Sequence, residues 1–391
     1  MTCFEFDAYS PEVSRDPYPF YARMRADHPV LWCESTHSWA LSRYDDVLAA
    51  LLDTATFSSA KGNTINDNPE RAGRTLGTTD PPRHDQLRKL VSAAFARRTV
   101  SEYEAPMRTR AIEIICAAPR NQPVDLRALL AGPSSAAVLG EVLGVENLNR
   151  DDLAAAFVTV LDDPPRLGQL KSERPEHGAA MATVLGVVRD TIAFRRRRAG
   201  TDVVSTLIEA GLDDNELLWI MFTFLGAGLE SSTSQFLLAA LNLARFPDQR
   251  ARLVDDPTLI PTGYEELVRF DCGPQRFHRT VARDLELHGV KLRAEDSVLV
   301  MYGSANRDER VFDRADELVI DRVPNKHLGF GHGPHFCLGA ALARLQGKVL
   351  LEVLLAAAPN YAVHRPEELQ WKINPGFRGV RTLPVIFEPG S

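Results

Sequence analysis

Residues 327–343, HLGFGHGPHFCLGAALA, decide how the rest of the chain is interpreted. A glycine-rich loop leads into one cysteine, Cys337, and the apolar segment that follows, residues 338–355, has the composition of a helix. A thiol at a helix N-terminus loses its proton readily, because the N–H groups of the loop and the first helical turn stabilise the thiolate. The stretch therefore predicts a cysteine thiolate held where a loop becomes a helix.

A thiolate in this position suits iron. As the axial ligand of haem iron it donates electron density that favours cleavage of the O–O bond. Gly331, Gly333 and Gly339 have no Cβ, so the backbone can approach a flat macrocycle closely. Taken alone, the loop leaves two alternatives open. The cysteine would then be a small buried hydrophobe, or the glycines would bind phosphate. A dinucleotide phosphate site is disfavoured, because no clear strand–loop–helix unit with an acidic residue about 20 positions further on is visible.

Residues 330–339, FGHGPHFCLG, resemble the haem-binding loop of the cytochrome P450 family, the haem-thiolate monooxygenases. The family pattern has a Phe, a Gly, a His or Arg, the Cys and a final Gly at fixed spacing, and these positions are filled by Phe330, Gly333, His335, Cys337 and Gly339. The resemblance implies that Cys337 binds the iron of haem b. It also implies that the macrocycle is surrounded by Phe330, Gly331, His335 and Gly339.

Composition limits the remaining possibilities. The chain has 391 residues, 45% hydrophobic and 25% charged residues and a net charge of −7, so the whole molecule is not typical of nucleic-acid binders. No window reaches the roughly 18 apolar residues of a membrane-spanning helix, and residues 1–19 lack the features of a signal peptide. The five cysteines are scattered, which argues against disulfides and zinc. We therefore expect a cytoplasmic protein. The family resemblance implies a single domain over residues 1–391, and we expect it to be a monomer.

Residues 80–88, DPPRHDQLR, precede and enter a helix predicted over 85–95, with Asp80 as its N-cap. His84 and Arg88 are four residues apart and share one face of this helix. Such a pair is often only a solvated surface, but the pattern resembles the family helix that holds the haem propionates. The resemblance implies that His84 and Arg88, together with Arg279, are the propionate donors.

The longest helical pattern covers residues 213–246, and two glycines, Gly226 and Gly228, interrupt it in the middle. Each glycine weakens a helix by about 1 kcal/mol relative to alanine, so we expect a compensating function or contact. One alternative is a crossing of two helices that needs small residues. The other is the oxygen-activation motif of the family, whose positions are filled by Ala227, Gly228, Glu230, Ser231 and Ser232.

This motif departs from the family at one position, where Ser231 stands in place of the usual threonine. The hydroxyl is kept, but serine has more rotamer freedom than threonine and its hydroxyl is held less firmly. The resemblance implies that Glu230, Ser231 and Ser232 are catalytic. Ser231 would hydrogen-bond the bound oxygen, and Glu230 would relay protons with a pKa raised by apolar walls.

The family fold is mainly α-helical with a minor β region, and the haem lies between the long central helix and the helix that follows the cysteine. Glu266 and Arg269 match the family's buried structural pair, which we expect Arg322 to complete. Substrate-shaping positions are implied for residues 61–79, 164–175 and 375–380, the last of these in a hairpin closing the chain at 374–382.

These features together predict a monooxygenase that inserts one atom of O₂ into a small or medium hydrophobic organic substrate in secondary metabolism or catabolism. Hydroxylation, epoxidation and dealkylation all remain open. Electrons would come from a separate ferredoxin or flavodoxin system, which a basic surface would attract; its candidate residues are Arg97, Arg98, Arg344 and Lys348. A peroxide-driven peroxygenase on the same fold, or a haem sensor without enzymatic activity, are the alternatives.

Overall fold

The computed structural model describes residues 4–146, 151–162 and 175–388. Its α-helices, in chain order, are α1 (Pro11–Arg15), α2 (Tyr18–Asp27), α3 (Tyr44–Leu52), α4 (Arg83–Val91), α5 (Arg97–Ser101), α6 (Glu104–Ala117), α7 (Gly132–Leu143), α8 (Asp151–Asp162), α9 (Pro175–Arg197), α10 (Val203–Glu209), α11 (Asp214–Arg245), α12 (Pro247–Asp255), α13 (Ile260–Phe270), α14 (Tyr302–Ala305) and α15 (Ala340–Ala357). One π-helical turn, Arg127–Ala131, leads directly into α7.

The strands are short and form three sheets. They are β1 (Val30–Cys33), β2 (Ser38–Leu41), β3 (Phe57–Ser58), β4 (Pro123–Asp125), β5 (Phe277–Val281), β6 (Leu285–Leu287), β7 (Val290–Leu292), β8 (Ser297–Val300), β9 (Ala362–Val363) and β10 (Pro384–Ile386). The largest sheet has the order β1-β2-β8-β5-β3, with β2 and β8 parallel and the other neighbours antiparallel. The predicted class, mainly α with a minor β region, is confirmed.

Helix α11 is the central element. Asp213 caps it by accepting hydrogen bonds from the backbone N–H groups of Asn215 and Glu216, at 2.8 and 2.9 Å, and Glu216 accepts one in return. Its 32 residues extend over roughly 48 Å at about 1.5 Å per residue. It packs against α7, α9, α13 and α15, and its C-terminal part is buried on nearly all sides. The long helix predicted from the sequence is thus confirmed, with Asp213 and Phe246 as its caps.

A fully buried ion pair, Glu266 with Arg269, lies in α13. The Glu266 carboxylate accepts hydrogen bonds from Arg269 at 2.7 and 2.8 Å, and from Nε of Arg322 at 3.1 and 3.2 Å. Arg269 also donates to backbone carbonyls of the segment 306–317. The predicted partnership of Arg322 with this pair is therefore confirmed. It connects α13 to the chain that approaches the cysteine loop.

The structure differs from several local predictions. Asp80 does not cap α4, which begins at Arg83 behind Pro82; its carboxylate instead accepts hydrogen bonds from the Ser58 hydroxyl and from the backbone N–H of Ser59. Helices α10 and α12 are not predicted from the sequence. The hairpin predicted at 374–382 is present with shifted bounds, because an antiparallel Trp371–Val380 bridge closes residues 371–380, and the final strand β10 pairs with β4 and β9. The predicted substrate segment 164–175 lies almost entirely outside the described residues.

Candidate active site

A cavity of about 660 Å³ lies where α11, α4 and the loop before α15 meet. Ala227 is exposed although it lies in the middle of the most buried helix, because its side chain faces this space. Cys337 lies in the wall of the same cavity, and so do residues 374–378 near the end of the chain. The two motifs that the sequence analysis singled out therefore face one interior space.

The Cys337 thiol is exposed to the cavity, but the surrounding protein shields it from bulk water. The backbone N–H of Cys337 donates to the Phe330 carbonyl at 2.8 Å, which fixes the turn of the loop. Burial raises the pKa of the thiol, and the Gly339 backbone together with Arg88 and Arg344 offsets this only in part. The backbone at Gly339 lowers the pKa of the thiol, as the sequence predicts, but without a bound cation burial has the larger effect. Helix α15 begins three residues later, and coordination to a cation is what deprotonates a thiol in such a site.

The three glycines of the loop have different roles. Gly331 and Gly333 adopt left-handed φ angles of 69° and 68°, and a Cβ on Gly333 would lie 2.8 Å from the Leu51 carbonyl oxygen. These two residues are needed for the path of the backbone and for its contact with α3. A Cβ on Gly339 would meet nothing within 4 Å, so this position opens onto free space. Gly339 fits the predicted approach to a macrocycle, and Gly331 also lines the cavity, whereas Gly333 does not.

A group of cationic and imidazole side chains surrounds one edge of the cavity. His84 is almost fully buried and its Nδ1 lies 2.8 Å from Asp85, but its Nε2 has no hydrogen-bonding partner among the described residues. The ring of His335 lies 4.5 Å from it, measured between centroids, and its Nε2 is also unpartnered. Burial, with the charges of Arg279, His84 and Arg88, lowers the pKa of His335 to about 3.

Unpartnered polar atoms in a protein interior are rare and call for an acceptor or donor from outside the chain. Here two imidazole nitrogens without a partner lie among two guanidinium groups, and the free space begins at Gly339. A flat group carrying two carboxylates fits this set. The residues present are therefore compatible with haem b, with His84, Arg88, Arg279 and His335 at its propionates and Cys337 at its iron.

The side chains around the Glu230 carboxylate on α11 are charged and polar. Its carboxylate forms a bidentate pair with Arg127 at 3.0 to 3.2 Å, accepts a hydrogen bond from the Ser234 hydroxyl at 2.6 Å and is ion-paired with Lys372. The predicted apolar walls around this carboxylate are therefore wrong. Arg127 and Lys372 are 103 and 142 residues away in the chain, and no spacing in the sequence indicates that they meet Glu230.

The remaining motif residues lie on two faces of α11. Ser231 is half-buried at the cavity and its hydroxyl donates to the Ala227 carbonyl one turn earlier; Ser232 also lines the cavity. A Cβ on Gly228 would lie 2.7 and 2.8 Å from the methyl groups of Leu139 on α7. The predicted helix crossing is confirmed at Gly228, while Ala227 and Ser231 face the cavity, where the oxygen-activation motif would place them.

The basic surface predicted near α15 is partly neutralised. Arg344 pairs with Glu265 at 2.7 and 2.8 Å, and Lys348 pairs with Glu104 at 3.0 Å. Arg97 and Arg98 on α5, which packs against α15, are exposed. Of the four predicted basic residues, Arg97 and Arg98 on α5 are the two that form no ion pair with a described residue.

The chain is similar to proteins of one family. Residues 265–381 match the model of the family described as Cytochrome P450. The chain is 36% identical to the mycinamicin IV hydroxylase/epoxidase of Micromonospora griseorubida over 90% of its length and 89% of that protein. It is 32% identical to the vitamin D(3) 25-hydroxylase of Pseudonocardia autotrophica, covering 99% and 98% of the two chains.

The fold is shared as well. The crystal structure of CYP109E1 from Bacillus megaterium in complex with testosterone superposes with a TM-score of 0.88 at 28% identity, covering 97% of this chain and 100% of that one. Among the described residues, no helix combines the length and the apolarity needed to cross a membrane.

The resemblance seen in the cysteine loop thus extends over nearly the whole chain, and the unpartnered donors at the cavity edge match the cofactor that the family binds. By sequence and by fold, the chain belongs to the cytochrome P450 family of haem-containing monooxygenases.

Proposed function

We propose that this P450 inserts one atom of O₂ into a medium-sized hydrophobic organic substrate and that a separate ferredoxin or flavodoxin supplies the electrons. The observation that carries the proposal is the cavity itself, which has Cys337 in one wall and Ala227 and Ser231 in another. Hydroxylation, epoxidation and dealkylation all fit a cavity of this kind. The relatives named above act as hydroxylases or epoxidases, which favours the first two.

Bound haem supplies the binding and reductive activation of O₂. We assign Cys337 as the iron ligand and His84, Arg88, Arg279 and His335 as the propionate contacts. The apolar part of the cavity excludes water and favours an apolar substrate over a polar one; its residues include Phe95, Val138, Leu139, Phe222 and Leu342.

Ser231 is the residue we assign to proton delivery. Its Oγ–H donates to the Ala227 carbonyl, and rotation about one bond redirects this proton into the cavity. Glu230 has a different part, because its carboxylate is shared between Arg127 and Lys372. We assign it to holding α11 and the segment after 370 in place beside the cavity, with proton transfer as a secondary role.

The proposal is tested by absorption spectroscopy and by isotope incorporation. The reduced protein with carbon monoxide is expected to show the far-red-shifted Soret band of thiolate-ligated haem, and Cys337→Ser to lose it, because an alcohol does not replace the thiolate. Cys116→Ser, which changes an exposed cysteine, serves as the matched control.

Product formed under ¹⁸O₂ with a ferredoxin system is expected to carry one labelled oxygen. Turnover with peroxide but not with O₂ would instead identify a peroxygenase. A normal Soret shift without any oxygenated product, across a panel of apolar substrates, would favour a sensor.

A further inference from the structure

Arg276 is a charged side chain in the cavity wall for which the proposed mechanism has no use. It is 4% exposed, and its only hydrogen bond from the side chain to a described residue runs from Nε to the Tyr21 hydroxyl at 3.1 Å. Its terminal nitrogen Nη1 is buried and unpartnered. In the described part of the chain, no carboxylate forms an ion pair with it.

The other guanidinium and ammonium groups of this cavity are accounted for. Arg71 pairs with Asp67, Lys372 with Glu230, and Arg378 with Asp271. Arg88 and Arg279 lie at the edge assigned to the haem propionates. The acidic side chains of the cavity wall are thus already in ion pairs with other residues. Arg276 is therefore a buried charge without a counter-ion among the described residues. Such a charge is costly unless something outside the chain pairs with it.

The surroundings of Arg276 define one end of the cavity. Its guanidinium lies over the rings of Phe6 and Tyr21, with 5.2 and 5.8 Å to their centroids. Ile65 lines the cavity and packs against the apolar cluster that contains both rings. The backbone carbonyl of Asn63, also in the wall, accepts a hydrogen bond from the backbone N–H of His278, two residues beyond Arg276. The end formed by 63–65 and Arg276 therefore places a buried cation without an ion-pair partner among the described residues beside an apolar surface.

We propose that this end of the cavity binds the carboxylate of an apolar carboxylic acid. A guanidinium whose Nε is already used keeps two terminal nitrogens, and this planar edge matches a carboxylate better than a neutral group. Rings on its other side hold the guanidinium in place, so little side-chain freedom is lost on binding. The inference deepens the proposed function, on which it rests, by naming the substrate class as hydrophobic acids anchored at Arg276.

The test compares acids with their methyl esters in the haem-loaded protein. Fatty acids from octanoate to hexadecanoate and the matching esters are titrated at neutral pH, where the acids are ionised, and affinity is measured by calorimetry. We expect at least one acid to bind roughly tenfold or more tightly than its ester, the size of effect of a charged hydrogen bond. Arg276→Gln is expected to remove this preference while Arg276→Lys keeps part of it.

Arg365→Gln, which removes an exposed arginine on a surface turn, is the control and is expected to leave the preference unchanged. The proposal is overturned if no acid in the series outbinds its ester in the wild-type protein, a comparison that needs no variant. It is also overturned if Arg276→Gln keeps the preference. A normal carbon monoxide spectrum in the same preparation separates this result from failure of the proposed function.

Discussion

Glu230 belongs to the sequence motif on α11 and is also part of a buried group of ion pairs. The motif places it on α11, but the fold brings Arg127, which precedes it in the sequence, and Lys372, which follows it, into contact with its carboxylate. All three side chains are largely buried, with 14%, 13% and 2% exposure for the glutamate, the arginine and the lysine. A charge removed from such a set leaves the other charges desolvated and unpaired.

Glu230→Gln is therefore expected to lower the free energy of unfolding by about 3 kcal/mol, the range found when one partner of a buried pair is removed. Urea denaturation of the haem-loaded protein measures this loss. Glu209→Gln, the same change at an exposed position of α10, is the control and is expected to stay within about 0.5 kcal/mol. An unchanged midpoint for Glu230→Gln would show that the carboxylate is not a structural partner and would return it to proton transfer alone.

At the scale of elements, neighbouring positions of α11 must be small for two different reasons. Ala227 and Ser231 are small because they face the cavity, and Gly228 is small because α7 crosses at Leu139. The sequence motif does not separate these causes, since both favour residues with little or no side chain.

The helix crossing makes a specific prediction for Gly228→Ala. The added methyl group gains about 1 kcal/mol of helix propensity but meets Leu139 at less than contact distance, and overpacking costs about 1–3 kcal/mol. We expect a net loss of stability, measured by urea denaturation. In a Leu139→Ala background, the same change is expected to be stabilising, because the methyl group enters the space that the leucine leaves.

Gly186→Ala in α9 is the matched control, because a Cβ there meets nothing within 4 Å. It is expected to stabilise the protein by up to about 1 kcal/mol. Should Gly228→Ala destabilise equally in both backgrounds, the cause would lie at the cavity face instead of the crossing.

The same elements show what the sequence predicts and what it leaves out. The long helical pattern located α11 almost to the residue, and the family pattern located Cys337, because both signals are local. The ion pairs of Glu230 and Arg344 join residues that are remote in sequence, and so does the contact of Arg276 with Tyr21. No local pattern in the sequence indicates them. The raised thiol pKa of Cys337 was also missed, since burial in the folded protein outweighs the neighbouring helix.

At the scale of the whole molecule, charge distribution decides how an electron donor is attracted. The net charge of −7 repels an acidic ferredoxin on average, so docking requires a local positive area. The structure leaves Arg97 and Arg98 exposed beside α15, while Arg344 and Lys348 are bound to glutamates.

The rate of electron transfer from an acidic ferredoxin is therefore expected to fall as the salt concentration rises. Most of the decrease is expected where the screening length drops below about 10 Å. Arg97→Gln/Arg98→Gln is expected to reduce the rate several-fold at low salt and to flatten the salt dependence. Stopped-flow reduction of the haem measures both.

Lys291→Gln/Arg365→Gln removes the same charge from exposed positions on other elements and serves as the control. Equal salt slopes for the two double variants would assign the attraction to the overall field and not to α5.

The pairing of Glu230 with Lys372 also limits how this enzyme can be re-engineered. Residues 374–378 line the cavity, so this segment is an obvious one to replace when the aim is to change which substrates bind. If this segment is replaced by that of a relative without the lysine, the Glu230 carboxylate on α11 loses one of its two cationic partners. The resulting loss of stability would lower expression before any change in substrate selectivity could be measured. Libraries at this segment should therefore hold position 372 constant, or vary it together with 127 and 230.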